Sequence, residues 1–274
     1  MNSAATPTFV DISSHLTWFK SYAAERTSQE KGDTSPMNLK LRHSLNVLEN
    51  ARRIVEGEKF DTATARLCLL AALYHDVGRF EQYLRYHTFR DRESCNHGQM
   101  GVRILKAQGC LKHESHAARK LVMAAVGMHN RFALPASTPP LVALITNVVR
   151  DADKLDILRI MDEHLGGPAP YNPTVVLQQP DDPTIASEAV LRAVFEHRVA
   201  AYAALRCVND FRLLLGTWFF DLHFATCRRK FLQDGYVYNL LRRMPNSVPQ
   251  AAARDYLLTL LDAAKKDAQI TACR

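Results

Sequence analysis

The sequence lacks most of the features that mark secreted, membrane-spanning or nucleic-acid-binding chains. Its six cysteines, Cys68, Cys95, Cys110, Cys207, Cys227 and Cys273, lie far apart with no Cys-x-x-Cys. That spacing argues against a zinc knuckle, a thioredoxin-like motif or a disulfide scaffold, and favours a reducing cytoplasm. No apolar run reaches membrane-spanning length. The most apolar later stretch, Leu213 to Ala225, is short and holds Asp221 and His223, so it reads as a core helix. Met1 to Pro7 shows neither the basic n-region nor the apolar core of a signal peptide, so a cytoplasmic location is expected. Strand-like alternation, internal repeats and basic blocks interleaved with aromatics are also missing. The net charge of +7 is instead spread along the chain. A diffuse positive field favours a small phosphorylated ligand over nucleic acid.

What is present is enough to build a large core without disulfides: 274 residues, 47% apolar and 23% charged. The periodicity is helical throughout. Phe9, Ile12, Leu16, Phe19 and Tyr22 are spaced for an outer helix. After the turn Gly32 to Pro36, Asn38 is a candidate cap for a helix stopped by Gly57; on it Leu39, His43, Val47, Asn50 and Ile54 share a face, so His43 points inward. Asp61 can cap a buried helix that ends in His75-Asp76-Val77-Gly78, and a polar loop is expected from Glu81 to Cys95. His97 falls in the first turn of a helix ended by Gly109. His113 and His116 open another, which ends at Gly127-Met128-His129-Asn130 with Asn130 suited to a left-handed cap. Pro139-Pro140 precedes an apolar helix from Leu141 to His164 that carries Asp151 and Asp153. Both faces of this helix are apolar, so periodicity does not choose between the two aspartates.

Gly166 to Pro183, with two glycines and five prolines, reads as a linker or lid. Beyond it Ser187 can cap a helix running through Leu205, followed by helices over Asn209 to Arg229, Phe231 to Arg243 and a last one to Lys266. The expected organisation is an N-terminal helical extension (1–37), a metal-binding core (38–165), the proline-rich linker or lid (166–183), and a C-terminal helical part (184–274) packed on the core.

The groups facing inward or standing at helix ends are His43, His75, Asp76, His97, His129 and one of Asp151 and Asp153. Six imidazole and carboxylate donors suit two borderline divalent ions, iron, manganese, cobalt, nickel or zinc, better than calcium. An aspartate beside a histidine can bridge the two ions. Phosphate chemistry also needs nearby cations; Arg79, Arg131 and Lys154 adjoin these donors in sequence and are the candidate substrate-binding residues. His87, His113 and His116 read as loop or cap residues.

The ordered set resembles the HD superfamily of metal-dependent phosphohydrolases. His43 in Lys-Leu-Arg-His-Ser, His75-Asp76-Val77-Gly78-Arg79, His97 before a glycine-containing helix, His129-Asn130 and Ala152-Asp153-Lys154 follow one another as in that family, over about residues 38 to 160. The resemblance implies an all-α helical bundle, and by likeness it selects Asp153 over Asp151 as a metal ligand. The simplest members hold one ion with the counterparts of His43, His75, Asp76 and Asp153. The presence of His97 and His129 resembles the binuclear branch, with Asp76 as catalytic bridge. The implied activity is metal-bound hydroxide attacking a phosphomonoester or phosphodiester, a nucleotide among them. The Gly-Tyr-Pro signature and paired histidines of cyclic-dinucleotide phosphodiesterases are missing. Di-iron oxygenases resembling inositol oxygenase share a similar ligand set, so the ligands alone leave hydrolase and oxygenase open, and a non-catalytic ligand sensor with an HD fold is a third alternative.

Overall fold

The computed structural model describes residues 10–172 and 175–272; Phe9, Pro173 and Cys273 lie outside the described residues. Among these the fold is all-α, with no strand. The chain divides into two compact units, Met1–Asp153 and Lys154–Arg274.

In the first unit α1 (Ser13–Gln29) buries Phe19 and Tyr22 as its spacing predicts, and packs on α2 (Ser35–Gly57), α3 (Thr62–Tyr74) and α4 (Val77–Tyr86). α2 begins earlier than the sequence suggested. Thr34 takes the N-cap position and Pro36 the first turn, where a missing N–H costs nothing, so Asn38 lies inside the helix. Asp61 caps α3 by accepting from the Thr64 amide, and every α3 residue from Cys68 to Tyr74 is buried.

The first part of the loop expected from Glu81 to Cys95 belongs instead to α4, which runs to Tyr86 and is followed by His87 in the left-handed conformation. A short 3-10 turn (Asp91–Glu93) then leads into α5 (His97–Gln108), capped by Asn96 and ended by Gly109 at φ +60°. α6 (His116–Met128) is capped by Ser115, which leaves His113 in the preceding turn. At its end His129 is right-handed, and Asn130 does not take the left-handed cap expected of it. α4 packs on α5, α5 on α6, and α6 on α3. α7 (Pro140–Leu165) contains the boundary between the two units. Its N-terminal half is tied into the first unit where Asn50 donates to the Ala152 carbonyl and Arg150 donates to the carbonyls of Arg131 and Phe132.

One contact sets the position of the α3–α4 corner. A Cβ on Gly78 would stand 2.2 Å from the His97 carbonyl oxygen and 2.7 Å from the Gly101 nitrogen, so only glycine lets the α4 and α5 backbones meet here.

The second unit departs from the sequence reading in its helix lengths. α8 (Glu188–Phe195) is capped by Ser187 as expected but stops well before Leu205. The expected helix from Asn209 to Arg229 is broken into α9 (Val208–Thr217), a 3-10 turn and α10 (Ala225–Gln233). Gly235 at φ +80° separates α10 from α11 (Tyr236–Arg242), so no helix runs from Phe231. α12 (Ala251–Ala272) extends beyond Lys266. α9 is buried over its whole length and packs against α8, α11 and α12.

Candidate metal centre

Helix ends converge in the first unit. His75 follows the last residue of α3, Asp76 takes the N-cap position of α4, His97 opens α5 and His129 closes α6, while His43 and Asp153 project from within α2 and α7. His43, His75, Asp76, His97 and His129 are buried. The structure thus assembles all six groups picked out from the sequence. Of the two α7 aspartates, Asp153 reaches the cluster: its Oδ1 lies 3.0 Å from His43 Nε2 and 3.9 Å from His75 Nε2. Asp151, by contrast, is fully buried and belongs to neither group of donors close enough to hold an ion.

The two oxygens of Asp76 face different histidines. Oδ2 is 3.7 Å from the Nε2 atoms of both His43 and His75. Oδ1 is 3.4 Å from His97 Nε2 and 3.8 Å from His129 Nε2. Donor atoms of His43, His75 and Asp153 lie close enough together to hold one ion, and so do those of His75, Asp76 and His129.

Hydrogen bonds on the far side of the rings fix where the electron pairs point. His75 Nδ1 donates to the Ala72 carbonyl at 2.8 Å, His129 Nδ1 to the Val126 carbonyl at 2.8 Å, and His97 Nδ1 to Asp91 Oδ2 at 2.7 Å. Each of these neutral rings therefore carries its lone pair on Nε2, facing the cluster. His97 Nε2 and His129 Nε2 stand 3.1 Å apart, lone pair to lone pair. Burial keeps both rings neutral, with the Arg79 charge adding to the effect on His97 and His75 to that on His129; each pKa falls to about 4. Burial likewise lowers His75, whose Nε2 has no hydrogen-bond partner, and Asp153 Oδ1 is also without an aligned one. Orphaned acceptors packed this tightly call for a cation, and this set of imidazole and carboxylate donors fits divalent transition ions.

Two cations flank Asp76. Lys40 Nζ lies 2.9 Å from Oδ2, and Arg79 Nε 3.4 Å from Oδ1. Burial alone would raise the Asp76 pKa; Lys40 first, then the neighbouring rings and Arg79, outweigh it and hold the carboxyl well below its usual range. Both cations also sit over the Phe89 ring, at 5.4 and 5.8 Å.

The family model described as the HD domain matches residues 41–164. The chain carries an HD domain. All six candidate ligands fall inside the match, which supports both divalent-metal binding and the all-α architecture. No curated protein and no solved structure matches the chain.

Around the HD histidines the structure adds residues that the sequence reading did not assign. Asp91 receives His97 Nδ1, Arg79 Nη1 at 3.0 Å, Gln82 Nε2 at 3.0 Å and Asn130 Nδ2 at 3.1 Å, and so orients His97 from the loop before it. Lys40 sits one helical turn before His43, a spacing that puts both on one face of α2 and could have flagged it. The three expected substrate cations differ in placement. Arg79 also donates to the Phe89 carbonyl and Gln82, Arg131 is exposed, and Lys154 pairs with Asp221 at 2.6 Å within the second unit.

No helix among the described residues is long and apolar enough to cross a membrane.

Proposed function

We propose that the HD domain is a binuclear metal-dependent phosphohydrolase of the cytoplasm, acting on a small phosphomonoester or phosphodiester, nucleotides included. The observation that carries this reading is the division of the Asp76 carboxylate between two groups of donors. His43, His75 and Asp153 would hold one ion, His97 and His129 the other, and Asp76 would join them. Divalent ions bound there supply Lewis acidity to a water nucleophile and to the phosphoryl oxygens.

The chain's own residues do the rest. Asp91 and the carbonyls of Ala72 and Val126 hold three imidazoles in the ligating tautomer, so loading needs no tautomer change. Lys40, buried on most of its side chain but reaching solvent, places a positive charge beside the reacting centre, where it can balance the charge growing on the phosphoryl group. The cation role given from sequence to Arg79, Arg131 and Lys154 thus gains Lys40 as a fourth candidate, the one nearest Asp76 Oδ2.

Metal content of the chain as purified, repeated for His97→Ala and His129→Ala, tests the reading. Two ions per chain falling to one in each variant is expected, with phosphate release from a broad panel of esters by the unmutated protein. A count unchanged in both variants means that the two histidines are structural. Substrate-dependent oxygen uptake by the anaerobically iron-loaded protein, without phosphate release, would assign a di-iron oxygenase instead. Neither activity with metals loaded would leave a ligand sensor.

A further inference from the structure

A second buried cation, in the other unit and remote in sequence from the HD donors, lacks the partner its chemistry asks for. Arg212 lies on α9 and is only 3% exposed. Its Nη1 donates to Asn209 Oδ1 at 2.8 Å and its Nη2 to the Tyr171 hydroxyl at 3.0 Å, and its guanidinium stands 5.4 Å from the Tyr171 ring centroid. Both acceptors are neutral. Its Nε is buried and has no hydrogen-bond partner. A guanidinium taken from water with no carboxylate beside it costs several kcal/mol, and a ring face returns only about 0.5–2 kcal/mol of that.

The nearest acid in sequence is already used. Asp210 accepts from the Ser187 amide at 3.1 Å, the Arg206 amide at 3.0 Å and Gln250 Nε2 at 3.0 Å, and two residues along a helix point to different sides. The fold therefore satisfies this aspartate with neutral donors and leaves the guanidinium two residues away without an acid.

We propose that Arg212 is the anchor of an oxyanion-binding site in the second unit, taking a phosphate or carboxylate group, with Tyr171 as its cover. The unused Nε–H and the Nη2–H lie along one edge of the guanidinium, the edge that grips two oxygens of such a group side by side. The Tyr171 hydroxyl accepts from the same Nη2, and an incoming oxyanion replaces it. Tyr171 is able to give way: it is only partly buried and belongs to an irregular stretch opened by Gly166, Gly167, Pro168 and Pro170, outside any helix. Asn209 keeps Nη1 in place throughout, so the guanidinium remains aimed while its cover moves.

The test uses the full chain with its metals chelated, titrated separately with inorganic phosphate and with acetate at constant ionic strength, and follows the Arg212 Nε–H resonance by NMR. A saturable shift with phosphate, acetate or both supports the site and names its anion. Arg212→Lys and Arg212→Gln lack that resonance and are titrated by isothermal calorimetry alongside the unmutated chain; Arg212→Lys, which keeps the charge but not the two-pronged edge, should weaken binding at least about tenfold. Tyr171→Phe should bind as well or better, because the competing hydroxyl is gone. A resonance that responds to neither anion, or only as much as to chloride, overturns the proposal. So does an undiminished affinity in a folded Arg212→Gln variant. Because the readout belongs to Arg212 in the unmutated chain, a variant that fails to fold does not decide the matter. Because the metals are removed, failure here leaves the reading of the HD centre intact.

Discussion

Asp76 and Asp210 are both buried aspartates, one in each unit, and the fold treats them in opposite ways. Asp210 is closed off by two backbone amides and a glutamine amide, all neutral and all donating to it. It pins the segment before α8, the entry to α9 and Gln250 before α12 together, and nothing is left for it to bind. Asp76 has no such set of amides. It is flanked by Lys40 and Arg79 and faces the Nε2 atoms of His75, His97 and His129, whose electron pairs point into the cluster. A carboxylate satisfied by neutral donors is structural, whereas one placed among acceptors and movable cations is kept available for a ligand.

The largest expected break in this comparison is Asp210→Ala. It strands buried amide donors and should cost about 3–5 kcal/mol in urea unfolding, enough to unfold much of the protein at 37 °C. Asp76→Asn in chelated protein leaves Lys40 and Arg79 without their carboxylate but strands no amide, so it should cost about 1–2 kcal/mol, less than Asp210→Ala, while losing metal; a loss as large as that of Asp210→Ala would show that Asp76 is structural after all. Next comes Gly78→Ala. Its Cβ would meet the His97 carbonyl at 2.2 Å, and the forced separation of α4 from α5 should cost about 3 kcal/mol in the same unfolding experiment, together with loss of metal. Asp91→Ala removes the group that orients His97 without touching the six candidate ligands themselves. Metal affinity measured by competition with a chelator should fall roughly 10–100-fold with little change in stability.

The smallest effect is expected away from both aspartates, at Glu114. The Arg66 hydrogen bond chiefly lowers its pKa, burial opposes this, and His15 adds to the lowering. A depressed carboxylate contributes stability above its unfolded pKa of about 4.3 and loses that contribution as pH falls through the folded value. Glu114→Gln should therefore flatten the fall in melting temperature below about pH 4.3 and leave the neutral-pH slope unchanged. A curve identical to that of the unmutated chain would show the Arg66 pairing to be worth nothing.

The residues that converge in the HD domain were legible because groups at helix ends leave short signatures: His75-Asp76 next to Gly78, His97 after a capping asparagine, His129 at the end of an apolar helix. Asp153 was not separable from Asp151 by periodicity, because α7 is buried on more than one side; Val148 and Val149, on different faces, are both fully covered. What sequence could not show was pairing over distance. Asp91 reaches back 12 residues to Arg79 and forward 39 to Asn130, and Asp221 meets Lys154 from 67 residues away. Helix lengths were misjudged where one residue decided them, as at Gly235, or where an apolar run such as Val208 to Phe220 looked continuous but bends. Capping was legible in part: Asp61 and Ser187 each bond the amide three residues on, a purely local event, whereas Asn38 lies inside its helix and Asn130 is not left-handed.

The meeting of Gly78 with the His97 carbonyl bears on metal selection. Asp76 and His97 are set relative to each other by main chain against main chain, which side-chain repacking elsewhere cannot loosen. The spacing between Asp76 and His97 is therefore gauged by the backbone, and a divalent ion that prefers a different separation of these two groups must either bend two helices or stay out.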